Sequence, residues 1–282
     1  MSILLTALFS TAPLLIAALG GLLSELSGRL NIGLEGAILL GAFFASLTYL
    51  LFPGPVSSVV TALLAAILVG GVSGLIIAVL HVRYSANVFI AGLGINLLAV
   101  GIIPLLSQLI LGRKGVVPLN ISPDVKMTIA WISVAAALIL AAGVAAYLRF
   151  HIRGMRLSKI YLNEKLALEM GTAVAAYRFT AIIVSSALAG LAGGYIALYL
   201  GSYVPNLSAG KGWIALVIVF LGNRKVVPMI FAALFFAFTQ IFANEIQRFL
   251  ETPGLLLGLP FIITLLALIL YRIMRQRISP GE

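Results

Sequence analysis

Residues 149–178 read RFHIRGMRLSKIYLNEKLALEMGTAVAAYR, the one long polar stretch in an otherwise apolar chain. The stretch contains eight charged residues, six of them basic, and apolar segments of membrane-spanning length flank it on both sides. A Lys or Arg side chain at the centre of a bilayer costs about 2.5–3.5 kcal/mol on insertion scales. The stretch is therefore predicted to protrude into water, and its excess of basic residues places it in the cytoplasm.

Within this loop, residues 162–171 have the pattern of a short helix. Leu162, Leu166 and Met170 follow one another at four-residue spacing, and Gly171 stands where the helix would end. A short helix on a cytoplasmic loop fits a docking element for a soluble partner, and it fits an ordinary solvated loop equally well. Periodicity does not separate these two interpretations.

Composition places the chain among membrane proteins. Apolar residues make up 62% of it and charged residues only 9%, against about 25% charged residues in soluble domains. We therefore expect an all-α, polytopic helical membrane protein in contact with the lipid bilayer. The net charge of +10 does not indicate a nucleic-acid partner, because the basic residues are scattered over predicted loops. The absence of cysteine excludes disulfides and thiolate metal sites.

Nine segments are long and apolar enough to cross a bilayer, which takes about 20 mostly apolar residues. They are residues 3–23, 32–51, 56–80, 88–111, 128–148, 179–200, 203–221, 226–243 and 255–271. We expect eight to ten spans in one transmembrane domain, residues 1–282, with the cytoplasmic loop 149–178 inside it. The first segment lacks the basic start and the cleavage site of a signal peptide, so it is predicted to be a retained span.

Two segments are predicted to contain broken helices, near residues 24–36 and 203–222. In the second, polar residues, glycine and proline interrupt the first half, which favours a half-helix or a re-entrant segment. Nine spans place the amino terminus outside the cell. Thirteen of the 18 basic residues then lie in cytoplasmic segments and five in external ones, as the positive-inside rule requires.

The first broken segment, SELSGRLNIGLEG at residues 24–36, combines polar side chains with glycines. Glu25 and Arg29 are four residues apart, the spacing of an ion pair on a helix. Asn31 and Glu35 are carried deeper into the span. An intramembrane carboxylate marks a functional-site hypothesis, so Glu35 either contacts a transported solute or fixes the helix break by accepting backbone hydrogen bonds.

Other polar or aromatic side chains in the spans have both a structural and a functional interpretation. Asn96 and Gln240 could each form an interhelical hydrogen bond or contact the transported solute. Trp213 could anchor its helix at the membrane interface or form part of a cavity wall. The candidate substrate-pathway residues are Asn31, Glu35, Asn96, Trp213 and Gln240.

The chain has no source of energy of its own that the sequence reveals. It lacks the G-x-x-x-x-G-K-[ST] loop of ATP-binding proteins, a cluster of catalytic residues and a relay of buried acidic or histidine side chains. We therefore expect a transport subunit, not an enzyme, without a metal or cofactor in this chain. The alternative is an ion-coupled secondary transporter or channel, for which only Glu35 and Asn31 offer a site.

Three motifs resemble the permease subunits of ABC importers, in the simple-sugar and nucleoside branch that is related to branched-chain amino acid permeases. Residues 24–41 are similar to the signature E-x-S-G-x-x-N-I-G-L-E-G-x-x-L-x-G, in which Asn31 and Glu35 are matched. Residues 163–190 are similar to the coupling loop of the family, and residues 211–222, KGWIALVIVFLG, to its G-x-G-W-x-A-L segment. The resemblance covers most of the chain.

This resemblance implies a bacterial inner-membrane importer that works by alternating access. The implied partners are a second, identical or similar permease subunit, two ATP-binding subunits that hold ATP and Mg, and an extracytoplasmic solute-binding protein or lipoprotein. A nucleoside is the expected cargo, with riboflavin and simple sugars as the alternatives. The residues that the resemblance assigns to ATPase coupling are Asn163, Ala167, Leu168, Gly171, Tyr177 and Arg178. Lys165, Ser186 and Lys211 depart from the family pattern, which leaves the cargo open.

Overall fold

The computed structural model describes residues 3–52, 57–113 and 115–247. These residues form ten helices and one pair of two-residue strands. The elements are α1 (Ile3–Leu26), α2 (Leu34–Leu51), α3 (Ser57–Val82), α4 (Val88–Leu111), β1 (Val117–Pro118), α5 (Pro123–Phe150), α6 (Ile152–Leu162), α7 (Glu164–Glu169), α8 (Val174–Leu200), β2 (Ser202–Tyr203), α9 (Lys211–Leu221) and α10 (Val226–Gln247).

The all-helical membrane fold is confirmed. Among the described residues, seven helices are long and apolar enough to cross a membrane: α1, α2, α3, α4, α5, α8 and α10. Each corresponds to one predicted span. The predicted span at residues 255–271 lies outside the described residues.

The segment 203–221 does not form a full span. Turns occupy residues 205–210, and α9 that follows has 11 residues, a length of about 16 Å against a hydrocarbon core of about 30 Å. The half-helix that the interrupted sequence pattern predicted is therefore present. It packs against α1, α2 and α10.

The two ends of the bundle differ in structure. At one end, β1 pairs with β2 in antiparallel register, with Val117 opposite Tyr203, and joins the α4–α5 connection to the end of α8. At the other end lie α6 and α7, together with the last turn of α1 and the turn between α9 and α10. We call this second end the α6–α7 end; it carries the loop whose charge predicts a cytoplasmic location.

Helix α8 is the centre of the bundle and packs against α1, α2 and α3. Glycines make this possible. A Cβ atom on Gly190 would lie against the carbonyl oxygen of Ala66, and one on Gly41 would lie against the backbone of Gly190. The backbones of α2, α3 and α8 are thus in direct contact, which is how small residues stabilise helix association in lipid, where the hydrophobic effect is weak.

Candidate translocation and coupling sites

Asn31 fixes the break between α1 and α2. Its buried side-chain amide donates to the hydroxyl oxygens of Ser186 at 2.8 Å and Ser185 at 3.2 Å, both on α8. Its Oδ1 accepts a hydrogen bond from the backbone N–H of Gly33 at 2.9 Å. A non-helical backbone inside a bundle needs such partners, because no water replaces the missing helical hydrogen bonds.

Asn96 supports the same break from α4. Its Oδ1 accepts from the N–H of Gly36 at 2.8 Å, and its Nδ2 donates to the carbonyl oxygen of Ile32 at 3.0 Å. The close approach needs glycine, since a Cβ atom on Gly36 would meet the backbone of Ile95 and Asn96. Both polar ends of the Asn96 amide are therefore satisfied by the backbone around the break.

Glu35, in the first turn of α2, caps the amino terminus of α9. Its Oε1 accepts hydrogen bonds from the hydroxyl of Ser208 and from the N–H of Gly210 at 2.8 Å. Its Oε2 accepts from the N–H of Gly212 at 2.7 Å. The first N–H groups of a helix have no partner within that helix and carry its positive partial charge. A carboxylate from another helix supplies that partner here.

Gly212 is the residue that lets α9 reach this carboxylate. A Cβ atom there would lie 2.5 Å from the backbone nitrogen of Glu35, which is closer than non-bonded atoms can approach. The neighbouring Lys211 is the first residue of α9. Its Nζ lies at the start of α9 and donates to the carbonyl oxygens of Leu207 at 3.3 Å and Ser208 at 3.2 Å.

The other two predicted pathway residues lie apart from this network. Trp213 follows Gly212 in the first turn of α9, and 42% of its surface is exposed. Gln240 is half-buried on α10, which packs against α1 and α9. The structure thus brings Asn31, Glu35 and Asn96 to one break, and it leaves Trp213 and Gln240 outside the hydrogen bonds of that break.

The cytoplasmic loop contains two helices where the sequence predicted one. The predicted helix at 162–171 begins too early, because Leu162 ends α6 and Asn163 separates the two helices. The Oδ1 of Asn163 accepts from the N–H of Leu166 at 3.1 Å and so caps α7. Gly171, at a φ of +73°, ends α7 in the left-handed conformation that favours glycine. Helix α6 was missed, although Leu157 and Ile160 mark its buried face.

The predicted apolar stripe on this loop is not its buried face. Ala167 is the residue that packs inward, against Ile160 and Val174. Four apolar side chains point to the outside, with exposed fractions between 51% and 79%. They are Leu162, Leu166, Leu168 and Met170, which we call the α7 patch.

Arg178, at the start of α8, ties this loop to the break. Its Nη2 lies 2.6 Å from Oε2 of Glu164, and its Nε donates to the carbonyl oxygen of Ser27 at 3.3 Å. The hydrogen bond from Arg178 lowers the pKa of the Glu164 carboxyl below its ordinary value. Tyr177, the preceding residue, packs against the Ala167 cluster.

A second link, between Arg224 and Glu25, was not predicted. Arg224 donates to Oε1 of Glu25 at 3.1 and 2.9 Å, and its guanidinium lies 4.3 Å from the ring centre of Tyr161 on α6. The expected ion pair between Glu25 and Arg29 is wrong, since α1 ends at Leu26 and the helical spacing no longer applies. Arg29 instead donates to Nε2 of His81 at 3.2 Å.

Comparison with known proteins identifies the family of this helical fold. Residues 3–265 match the family described as branched-chain amino acid transport system / permease component. The chain belongs to this family. The resemblance inferred from the three sequence motifs is thereby confirmed at the level of the family.

Two curated relatives match along nearly their whole length. The guanosine ABC transporter permease protein NupQ of Bacillus subtilis is 31% identical, covering 91% of this chain and 88% of the relative. The nucleoside ABC transporter permease protein NupC of Lactococcus lactis is 28% identical, covering 94% and 90%. Among solved structures, an ABC transporter classed as metal-chelate type, in an inward-facing conformation, shares the fold with a TM-score of 0.57 at 19% identity, covering 96% of this chain and 85% of that one.

The permease is therefore the membrane component of an ABC transporter and a multi-pass protein of the inner membrane. Its family consists of transport components, not catalytic ones, and works with ATPase and binding-protein partners.

Proposed function

We propose that this permease is the membrane subunit of an ATP-driven importer that carries a nucleoside into the cytoplasm by alternating access. The observation that supports this most directly is the α7 patch. Four apolar side chains are exposed on a charged loop outside the spans, whereas the loop's polar residues Glu164 and Arg178 are engaged in holding it to the bundle. An exposed apolar patch rimmed by polar residues is typical of a protein interface.

The occupant of this patch is one of two ATP-binding subunits, which hold ATP and Mg. Asn163 and Gly171 define the two ends of α7, and Ala167 fixes the helix to α6 and α8. Leu168 lies on the exposed side. A short helix held in this way moves with the bundle as one unit, so a displacement by the ATPase is passed on to the spans.

Two connections carry that displacement inward. The first runs from α7 through Arg178 to the backbone of Ser27, at the start of the break. The second runs from Tyr161 on α6 through Arg224 to the end of the half-helix α9, whose other end is capped by Glu35. Both connections therefore end at the break that Asn31 and Asn96 support, near the middle of the bundle.

The names of the curated relatives favour a nucleoside as cargo, since one is described as a guanosine and another as a nucleoside permease. Riboflavin and simple sugars remain the alternative cargoes. A second permease subunit would complete the pathway, and an extracytoplasmic solute-binding protein or lipoprotein would deliver the cargo. Trp213 and Gln240 are the proposed pathway residues that do not serve the break.

The alternative function, ion-coupled transport, finds little support at Glu35. Three donors already occupy the two oxygens of its carboxylate, one in the turn before α9 and two at the amino terminus of that helix. An ion at this place would have to displace that cap.

Uptake into proteoliposomes tests the proposal. The permease is reconstituted with its ATPase and binding protein, and labelled guanosine, adenosine, riboflavin and ribose are offered with ATP, with a non-hydrolysable ATP analogue, or with ionophores. We expect uptake of a nucleoside that needs ATP hydrolysis and tolerates ionophores. Uptake that continues without ATP and stops with the ionophores would establish the secondary transporter instead.

A further inference from the structure

A cavity of about 820 Å³ opens at the α6–α7 end, between α5, α6 and the start of α10. Helices α5 and α10 both pack against α1 but scarcely touch each other, so a cleft remains between them. The cavity lies where two spans meet the water, because α5 ends at Phe150 and α10 begins at Val226. Leu26, Ala145 and Leu148 contribute to its apolar wall.

Basic side chains surround the opening of this cavity. Arg149, Arg224 and Lys225 line it. Glu25 offsets the charge of Arg224, whereas neither Arg149 nor Lys225 takes part in an ion pair with any residue that the structure describes. Within the described part of the chain, these two positive charges have no counter-charge at the membrane boundary, and the positive end of α10 adds to them.

The apolar side of the cavity continues along α10. Val227 lines the cavity, and Phe231, Phe235 and Phe238 follow it at intervals of four, four and three residues, all exposed. Residues with this spacing lie on one face of a helix. A basic opening is thus joined to an apolar strip that runs into the membrane.

We propose that this cavity binds the headgroup phosphate of an anionic phospholipid, whose acyl chains lie along the α10 strip. The phosphate would supply the counter-charge for Arg149 and Lys225. The acyl chains would pack against the α10 strip, which consists of Val227, Phe231, Phe235 and Phe238. Basic pockets between membrane helices on the cytoplasmic side bind anionic headgroups for this reason. A soluble acidic partner would match the charges but not the strip. The proposal does not depend on the transported solute.

Native mass spectrometry of the assembled transporter, titrated with phosphatidylglycerol or phosphatidylcholine, tests this site. The test variant is the double substitution Arg149→Gln with Lys225→Gln, which leaves the Arg224 link intact. The control is Arg156→Gln with Lys159→Gln, which removes two exposed charges from α6 outside the cavity. A basic side chain near an anionic surface contributes about 1 kcal/mol, or roughly fivefold in affinity.

We expect wild type and control to retain phosphatidylglycerol over phosphatidylcholine, and the test variant to bind it about 25-fold more weakly. Binding should also weaken as salt is raised. Equal losses in the two double variants would reduce the effect to diffuse surface charge and overturn the site. Unchanged lipid retention with weaker binding of the ATPase subunit would assign the cavity to an acidic protein surface instead.

Discussion

Arg224 donates two hydrogen bonds to one carboxylate oxygen of Glu25, at 3.1 and 2.9 Å, although the residues lie 199 positions apart in the chain. The guanidinium also lies over Tyr161, and both partners of the ion pair are largely shielded from solvent. One side chain therefore joins the end of α1, the turn after α9, and α6 of the cytoplasmic loop.

Substitutions of this pair should be strongly coupled. We expect Glu25→Gln and Arg224→Gln each to lower the stability of the permease, and the double variant to lose less than the two together, with a coupling energy of about 1–3 kcal/mol. Arg224→Lys should also be defective, since lysine cannot form the two-pronged contact and stack on the ring. Thermal unfolding of the purified protein measures the cycle.

The control for that cycle is Arg29→Gln, which removes the charge that the helical spacing first assigned to Glu25. Arg29 contacts His81 instead, so its effect should simply add to that of Glu25→Gln. Coupling between Arg29 and Glu25 as large as that with Arg224 would contradict the observed pairing.

Loss of the Glu35 carboxylate should release α9. Glu35→Ala leaves the N–H groups of Gly210 and Gly212 without their acceptor, and an unsatisfied buried donor costs about 1–3 kcal/mol. Glu35→Gln keeps one acceptor oxygen but sets its NH₂ group against a backbone donor, so we expect an intermediate loss. Ser208→Ala, which removes one donor and leaves two, should cost least.

Stability and uptake should be measured together on these three variants. If Glu35 is a cap, the three variants should rank in the same order by uptake as by stability. Uptake by each of them should remain insensitive to ionophores. A Glu35→Gln protein with wild-type stability but without uptake would instead place the carboxylate in the transport chemistry.

The close packing of α8 should not tolerate a methyl group at Gly190. A Cβ atom there would overlap the carbonyl oxygen of Ala66, so Gly190→Ala must push α8 away from α3. We expect a loss of about 1–3 kcal/mol, as for overpacked cores. Gly143→Ala on α5 is the control, because no residue that the structure describes lies within 4 Å of a Cβ atom at that position. Equal unfolding temperatures for both variants would contradict this account.

The long helices could be predicted from the sequence because each depends on local composition alone. Twenty apolar residues specify a span wherever it lies in the bundle. The polar residues of the break, Asn31, Glu35 and Asn96, were also recognisable, since a membrane holds such side chains only where they have partners.

The partners themselves could not be predicted. Glu35 meets the start of α9 across more than 170 residues, and Arg224 meets Glu25 across 199. No local spacing records such contacts. The i,i+4 rule that paired Glu25 with Arg29 failed because the helix ends between them. The same rule placed Leu162 in α7, whereas Asn163 caps a new helix there.

The turn at Gly171 should matter for coupling beyond its effect on stability. Its left-handed φ makes a side chain there cost about 1–2 kcal/mol, although a Cβ atom would have no described residue within 4 Å. Gly112 ends α4 at the opposite end of the bundle with a φ of +66°, and a Cβ atom there would likewise have no described residue within 4 Å. Gly171→Ala and Gly112→Ala therefore impose matched strain at two different places.

We expect Gly171→Ala to raise the ATP hydrolysed per solute imported severalfold, and Gly171→Arg to uncouple the two processes while the protein stays folded. Gly112→Ala should lose similar stability but keep wild-type coupling. Wild-type coupling in both Gly171 variants would remove α7 from the ATPase interface.

Acid should loosen α7 at a pH set by Glu164. Arg178 lowers the pKa of this carboxyl from its ordinary value of 4.5. Because the pKa is lower in the folded protein than in the unfolded chain, the ion pair stabilises the loop fully at any pH above the unfolded pKa. This stabilisation is lost as the pH falls through the lower pKa of the folded protein. Hydrogen exchange of residues 164–170, corrected for the intrinsic rate at each pH, should show constant protection from pH 7 to about 5 and a decline below it.

Glu164→Gln should remove the acid step and lower protection at neutral pH. Glu169→Gln, which removes a carboxyl from the same helix, should keep the step, and its loss in that variant would show that Glu164 is not the group that titrates.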